Sequence, residues 1–501
     1  MIHRHTLICL FFCFIFTPLL FSQQNKTVTA DLPSSVELTI YNSNFALIRE
    51  ERLMNLAKGL NNVIVPDIPA TIDGTSLHFS SLTDVSAVRV LEQNFQYDLV
   101  HQAKLMEKYL GKEVEFIRLD EASKKEYSVK GKLLSTGWLP QGGLNQYYYG
   151  GQMVAEINGK VEIAPSGRLV LPELPEGLIL KPQLEWLVSN TKNGEHKTEI
   201  SYIADQLSWS CDYVALLNAD DNKIDLTGWV TLKNNSGTSF KNAGLKLVAG
   251  DVNVVQKEER YDRAMKYSAM TVADAAQPQF QQKELFEYKL YSLQRRTDVA
   301  NNETKQIELT SGKNIPAKKV FIYDGMGTEW RYWLNNYSYR QQGSFGQQSN
   351  TKVGVFVTLK NDEKSGLGIP LPKGKVRVYK QDDDGKEQFV GEDQIDHTPK
   401  DEEVKLYLGN AFDLTGSRVQ KDFKSVVSGH VYEETFEIKV RNHKKEAAEV
   451  QVYEHPWRWN QWEITKSNAD YDKVDQTTLK FPVKLKKDEE KVITYTIRYS
   501  W

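Results

Sequence analysis

The densest grouping of recognition chemistry lies near the C-terminal end, where Trp457, Trp459 and Trp462 stand among Arg458, Asn460, Gln461 and Glu463. Aromatic rings supply apolar area and neighbouring amide and charged groups supply direction, a pairing suited to a sugar or a peptide. These three tryptophans are the candidate ligand-binding residues. Trp330, Tyr332 and Trp333 form a second aromatic cluster, and Tyr147, Tyr148 and Tyr149 a third. The competing reading is structural. Trp457 and Trp459 are two residues apart, so on a strand they would share one face and could serve as core.

Catalytic chemistry is harder to find. Cys211 is the only cysteine beyond Cys13. A nucleophilic thiol needs nearby positive charge or a base, and Ser210 and Asp212 supply neither, so a buried structural thiol is expected. His397, His430, His443 and His455 fall late in the chain without ligand-like spacing. No metal site and no cofactor are expected from them. Asp382, Asp383, Asp384 and Gly385 invite a calcium-loop reading. Setting Gly385 at loop position six places Lys380 at position one and Gly391 at position twelve, where carboxylates are required. A hairpin turn, with positive φ at the Asp-Gly step, fits the segment better. The sequence holds no His-Glu-x-x-His, no phosphate-binding Gly-Lys-Ser/Thr and no Gly-x-Ser-x-Gly. Catalytic sets are defined by geometry rather than by sequence, so an enzyme is not excluded, but no catalytic residue is assigned.

Most of the chain alternates with period two. Phe436, Ile438 and Val440 share one face of a stretch whose other face is Glu437, Lys439 and Arg441. Ile493, Tyr495, Ile497 and Tyr499 do the same near the C-terminus. Such alternation predicts half-buried antiparallel strands. Helical periodicity is scarce, clearest at 101–110, where Leu105, Met106, Tyr109 and Leu110 fall on one side and Gly111 is the stop. Three segments resemble one another: 230–235 (Val-Thr-Leu-Lys-Asn-Asn), 357–362 (Val-Thr-Leu-Lys-Asn-Asp) and, more loosely, 438–443 (Ile-Lys-Val-Arg-Asn-His). Each ends in a basic residue and Asn, whose side chain can bond the backbone two residues on and turn the chain. Their irregular spacing excludes a solenoid.

These patterns predict a mainly β, multidomain protein: a small β-barrel-like module plus Ig-like antiparallel β-sandwiches, few helices and one long mobile loop. The expected divisions are a signal peptide at 1–22, an N-terminal β domain with a short terminal helix at 30–110 and the barrel-like module at 111–178. A β region at 179–349 with a mobile loop at 257–283 follows, and then a C-terminal sandwich at 350–501. Proline-rich 172–182 reads as a stiff connector, since proline fixes φ and blocks sheet pairing.

Of the 501 residues, 63 are Lys or Arg and 66 Asp or Glu. That balance argues against a nucleic-acid binder. Residues 1–5 carry His3 and Arg4 and no acid, residues 7–21 are almost wholly apolar, and 22–25 turn polar. This order of basic end, short apolar core and polar exit reads as a secretory signal. The apolar run falls short of the roughly 20 residues a spanning helix needs and is interrupted by Pro18. No later stretch reads as a transmembrane span. Export to the periplasm, cell surface or beyond is therefore expected.

From about Glu185 to the C-terminus the chain resembles the DUF4139 family of bacterial exported proteins. The residues that carry the resemblance include 208–213 (Ser-Trp-Ser-Cys-Asp-Tyr), 226–230 (Leu-Thr-Gly-Trp-Val) and 234–239 (Asn-Asn-Ser-Gly-Thr-Ser). They continue with 245–252 (Leu-Lys-Leu-Val-Ala-Gly-Asp-Val), 286–291 (Phe-Glu-Tyr-Lys-Leu-Tyr), 302–305 (Asn-Glu-Thr-Lys), 366–370 (Gly-Leu-Gly-Ile-Pro), 376–379 (Val-Arg-Val-Tyr) and Glu454-His455. Cys211 departs from the family pattern, and the 456–462 stretch is unusually rich in tryptophan. The resemblance implies an exported protein without an assigned activity and supplies no catalytic residues. With the sandwich pattern and the missing motifs, the expectation is a non-catalytic structural or binding role in the bacterial envelope. The partner would be an envelope polysaccharide, peptidoglycan or an exported protein. The alternative is a hydrolase of envelope polymers using carboxylates from separate strands.

Overall fold

The structure, a computed structural model, describes residues 26–96, 99–140, 147–175, 177–250, 252–253, 279–334, 349–382 and 384–501. The expected signal at 1–22 and most of the expected loop at 257–283 lie outside these residues. The end of that loop is strand, from Phe280 to Leu285. Strand dominates, as the alternation predicts, and none of the sheets closes into a barrel. Among the described residues no helix is long and apolar enough to cross a membrane.

The chain divides into two compact units, Met1–Val36 with Arg49–Ile203, and Glu37–Ile48 with Ala204–Trp501. In the first, the module expected at 111–178 is an open five-stranded antiparallel sheet. Glu126–Ser135 and Glu113–Leu119 lie inside it, and Lys160–Ile163 and Arg168–Val170 are its edges. The helix Gln102–Lys108 contributes Met106 to its core, and Tyr109 just beyond packs there with Phe116, Leu133 and Ile157. Gly111 adopts the left-handed conformation expected of the stop, whereas Leu110 is exposed. The same unit buries Arg52, whose Nε and Nη2 donate to Glu50 Oε2 at 2.9 and 2.7 Å while Tyr202 donates to Glu50 Oε1 at 2.8 Å. A buried pair of charges persists only when its hydrogen bonds are made in this way.

The second unit contains a thirteen-stranded sheet. Its strands are β1 (Leu207–Leu217), β2 (Lys223–Asn234), β3 (Glu303–Asp324), β4 (Lys352–Lys360), β5 (Gly374–Gln381), β6 (Glu387–Ile395) and β7 (Glu403–Val427). Then come β8 (Val431–Asn442), β9 (Ala448–Glu454), β10 (Trp462–Ser467), β11 (Asp472–Asp475), β12 (Thr478–Leu485) and β13 (Glu490–Ser500). The order is β6-β5-β1-β2-β3-β4-β7-β8-β13-β10, with β9 pairing β3 and β12, and β11 pairing β12. β5 and β6 form the hairpin expected across Gly385, which has φ of 80°.

Two long strands carry the chain from one part of this sheet to the next. β3 pairs β2 along its first part and β4 along its last, and β7 pairs β4 and then β8. Register shifts interrupt β3 near Asn314 and β7 near Leu408, and such bulges bend a strand without ending it. The C-terminal core follows from the alternation read in the sequence. Phe436, Ile438 and Val440 of β8 and Ile493, Tyr495, Ile497 and Tyr499 of β13 are buried together with Val450, Val452 and Phe481. Each such side chain contributes about 1.5–3 kcal/mol by leaving water.

Two of the three Asn-ended segments make the local turn. Asn234 Oδ1 accepts from Ser236 N at 3.1 Å and Asn442 Oδ1 from Lys444 N at 3.0 Å, the local turn expected. Asn361 Oδ1 instead accepts from Gly368 N at 3.3 Å. Each amide nitrogen also donates to distant carbonyls: Asn234 to Val299 and Ala300, Asn361 to Pro399, Asn442 to Lys486. All three side chains are buried.

Candidate functional site

The end of β3 lies between β9, its parallel neighbour, and β4, its antiparallel one. Asp324 stands beside Tyr453, and Ile322 opposite Gly354. Across β4, Gly354 faces Asn410, Phe356 faces Tyr407 and Thr358 faces Lys405 of β7. Side chains alternate along strands, so one face receives Tyr323, Val353, Val450, Val452 and Glu454, all buried. The other face receives Asp324, Lys352, Phe356, Lys405, Tyr407 and Tyr453, and His455 follows just beyond β9. These residues line a groove of about 400 Å³. Its floor needs Gly354: a Cβ there would stand 2.8 Å from Phe356 Cε2 and 3.3 Å from Tyr407 Cε2.

One end of the groove is a fixed acid–imidazole pair. Asp324 Oδ1 accepts from the backbone N–H groups of Met326 and Gly327 at 2.9 and 2.8 Å. Asp324 Oδ2 lies 3.3 Å from His455 Nε2, and His455 Nδ1 donates to Thr477 O at 3.0 Å. Trp330, carried by the short helix Glu329–Leu334, stacks on the imidazole at 4.5 Å and 11°. Both Asp324 carboxylate oxygens and both His455 ring nitrogens thus have partners within the protein.

The other end is cationic and aromatic. Lys405 Nζ sits 4.6 Å from the ring centre of Phe356 and 6.0 Å from that of Tyr453, within reach of cation–π attraction. Burial holds its pKa below the ordinary lysine value, with Glu403 opposing. Phe356 and Tyr407 lie 5.2 Å apart, and Tyr407 donates to Asn410 Oδ1 at 3.1 Å while keeping 40% of its surface exposed. Among the described residues neither Lys352 nor Lys405 forms an ion pair.

Behind the groove lies a buried ionic network. Arg418 Nε donates to both oxygens of Glu454 at 2.8 and 2.9 Å, and Tyr495 also donates to Glu454. The Arg418 guanidinium covers Phe436 at 3.9 Å. Arg458 and Gln420 both donate to Glu434 at 2.6 Å. A second pocket of about 330 Å³ is lined by Arg418, Gln420, Trp333 and Trp457, and shares Gly327 and Asn350 with the groove.

The three tryptophans singled out by the sequence have different neighbours, and none lines the groove. Trp457 is buried and packs on Trp333 at 5.4 Å. Trp459 is half-buried against Trp501 at 5.8 Å. Trp462 is half-buried, donates to Gln476 O at 2.8 Å and lies 4.3 Å under the Lys473 ammonium. Residues 457–459 are not strand, so Trp457 and Trp459 do not share a strand face. Pro456 ends the ladder after β9 because it has no N–H to give. Tyr332 is exposed. Tyr147–Tyr149 pair with Trp138–Pro140, and the side chains of the three tyrosines lie outside the described residues. Cys211 is buried in β1, and burial pushes its thiol up to about 12. Among the described residues no three His, Cys, Asp or Glu side chains gather as a metal site.

Residues 198–501 match a domain of unknown function, DUF4139. The chain belongs to the DUF4139 family. The DUF4139 region holds all thirteen strands of the sheet and every residue of the groove. Glu454 and His455, adjacent in the sequence, point to opposite sides of it: one closes the ion pair in the core, the other the wall of the groove. Lys405, Tyr407 and Asp324 carried no motif, and only their alternation opposite buried residues could have marked them. No curated protein matches the chain.

Proposed function

We propose that this DUF4139 protein is exported to the bacterial envelope and has a non-catalytic binding role there, recognising a glycan through the outer-face groove of its C-terminal sheet. The observation that carries the reading is the groove itself. It is open, floored by Gly354 and Phe356, flanked by the exposed ring of Tyr407, and edged by lysines and amides. Rings of this kind take the apolar face of a sugar while nearby donors fix its orientation. A glycosidase needs two carboxyl groups roughly 5–10 Å apart across its cleft. Asp324 is the one carboxylate among the described lining residues, and it is committed to two backbone N–H groups and to His455. Export rests on the apolar run at 7–21. Retention of the full chain on peptidoglycan and envelope polysaccharide, compared with Tyr407→Ala, tests the reading. Loss of retention in the variant supports it, and equal retention of both proteins contradicts it.

A further inference from the structure

The groove has a charge that its surroundings do not explain. The whole chain is close to neutral, with 63 basic and 66 acidic residues, and Lys352 and Lys405 bring two positive charges to a groove whose lining holds one carboxylate, Asp324. Both line the groove: Lys352 begins β4, and Lys405 lies opposite Thr358 of the same strand, its ammonium turned over Phe356 and toward Tyr453. Phe356, Tyr407 and Tyr453 line it with them. Lys405 is partly withdrawn from water with only ring faces and the more distant Glu403 to offset its charge. Asp324 would repel an anion, but its oxygens are turned into Met326 N, Gly327 N and His455.

We propose, resting on the binding role above, that the groove takes an acidic oligosaccharide, whose carboxylates pair with Lys405 and Lys352 and whose sugar rings lie on Tyr407 and Phe356. A carboxylate answers an ammonium held over an aromatic face, because the ion pair forms where water is already partly excluded and is stronger there than on an open surface. A neutral glycan would leave both lysines unanswered.

Calorimetric titration of the full chain with polygalacturonate, alginate and hyaluronan tests this, each beside its carboxyl-reduced counterpart, in which the acid is replaced by a neutral hydroxymethyl group. At least one acidic polymer is expected to bind about ten- to a hundredfold more tightly than its reduced form, the difference one charge-assisted contact makes. Lys405→Gln is expected to remove most of that difference and Lys405→Arg to retain it, while Lys473→Gln, outside the groove, changes nothing. Dextran sulfate serves as the control for simple polyelectrolyte attraction. Binding of it that matches the acidic glycans and ignores Lys405→Gln overturns the proposal. Equal binding of acidic and reduced polymers, lost in Tyr407→Ala, overturns the acidic ligand and leaves the glycan reading standing. Absence of binding to all six polymers overturns the acidic ligand, and the glycan reading then stands or falls by retention on peptidoglycan and envelope polysaccharide.

Discussion

Asn442 is 1% exposed and ties three separate backbone groups together, at Lys444 N, Glu446 O and Lys486 O. Replacing it by Ala removes three part-buried hydrogen bonds, each worth about 0.5–1.5 kcal/mol. Urea unfolding of Asn442→Ala is expected to show a loss of at least that size, and a change below about 0.5 kcal/mol would contradict the role. The recurrence of Asn at 234, 361 and 442 was legible in the sequence, and at 234 and 442 the turn it makes is local. Its longer bonds were not, because Val299, Pro399 and Lys486 are brought to it only by the sheet. Cys211 was equally legible, since its neighbours carry no positive charge. In a chain starting at Gln23 it is the single thiol, and with its pKa pushed up to about 12 by burial it is expected to ignore a thiol reagent until the protein unfolds. Stoichiometric reaction of the native protein at neutral pH would contradict this.

At the scale of elements, the sheet is pinned by charges that the alternation could not foretell. Glu454 joins β9 to Arg418 of β7 and Tyr495 of β13. Glu454→Ala strands a buried guanidinium, a loss of about 3–5 kcal/mol. The double variant Arg418→Met with Glu454→Leu is expected to lose much less, and equal losses in denaturant unfolding would contradict the pairing. Asp221 lies in the turn between β1 and β2 and accepts from Lys380 of β5 at 2.6 Å and from Lys319 of β3. Burial raises its pKa, but the hydrogen bonds from Lys319 and Lys380 outweigh that and hold it below the ordinary 3.8. A carboxyl whose folded pKa is depressed stabilises in full above its unfolded value and loses that contribution as pH falls through the folded one. Asp221→Asn is therefore expected to lower stability at pH 7 and to flatten its decline below about pH 4. Parallel acid-unfolding curves for the two proteins would count against the assignment. Strands such as β8 and β13 were plain in the sequence because one face is apolar throughout. β3 was not, because it changes partners beside a bulge at Asn314, φ 55°, which no apolar alternation announces.

Across the whole molecule, the mainly β architecture and the DUF4139 membership were readable from residue types, while the site was not. Tryptophans drew the eye to 457–462, yet Trp457 is spent on the packing around Trp333 and Arg458. The groove is assembled from β3, β4, β7 and the end of β9, strands spread from Glu303 to Glu454, and its members look ordinary one by one. Only the pairing Ile322–Gly354–Asn410 places Asp324, Lys405, Tyr407 and His455 on a common face. The position of a bound ligand decides between the groove and 457–467. Hydrogen–deuterium exchange of the full chain, with and without the envelope glycan it retains, reads that location directly. Slower exchange is predicted at 352–356, 405–410 and 453–455, with 457–467 unchanged. Protection confined to 457–467, with the groove strands unaffected, would contradict the account.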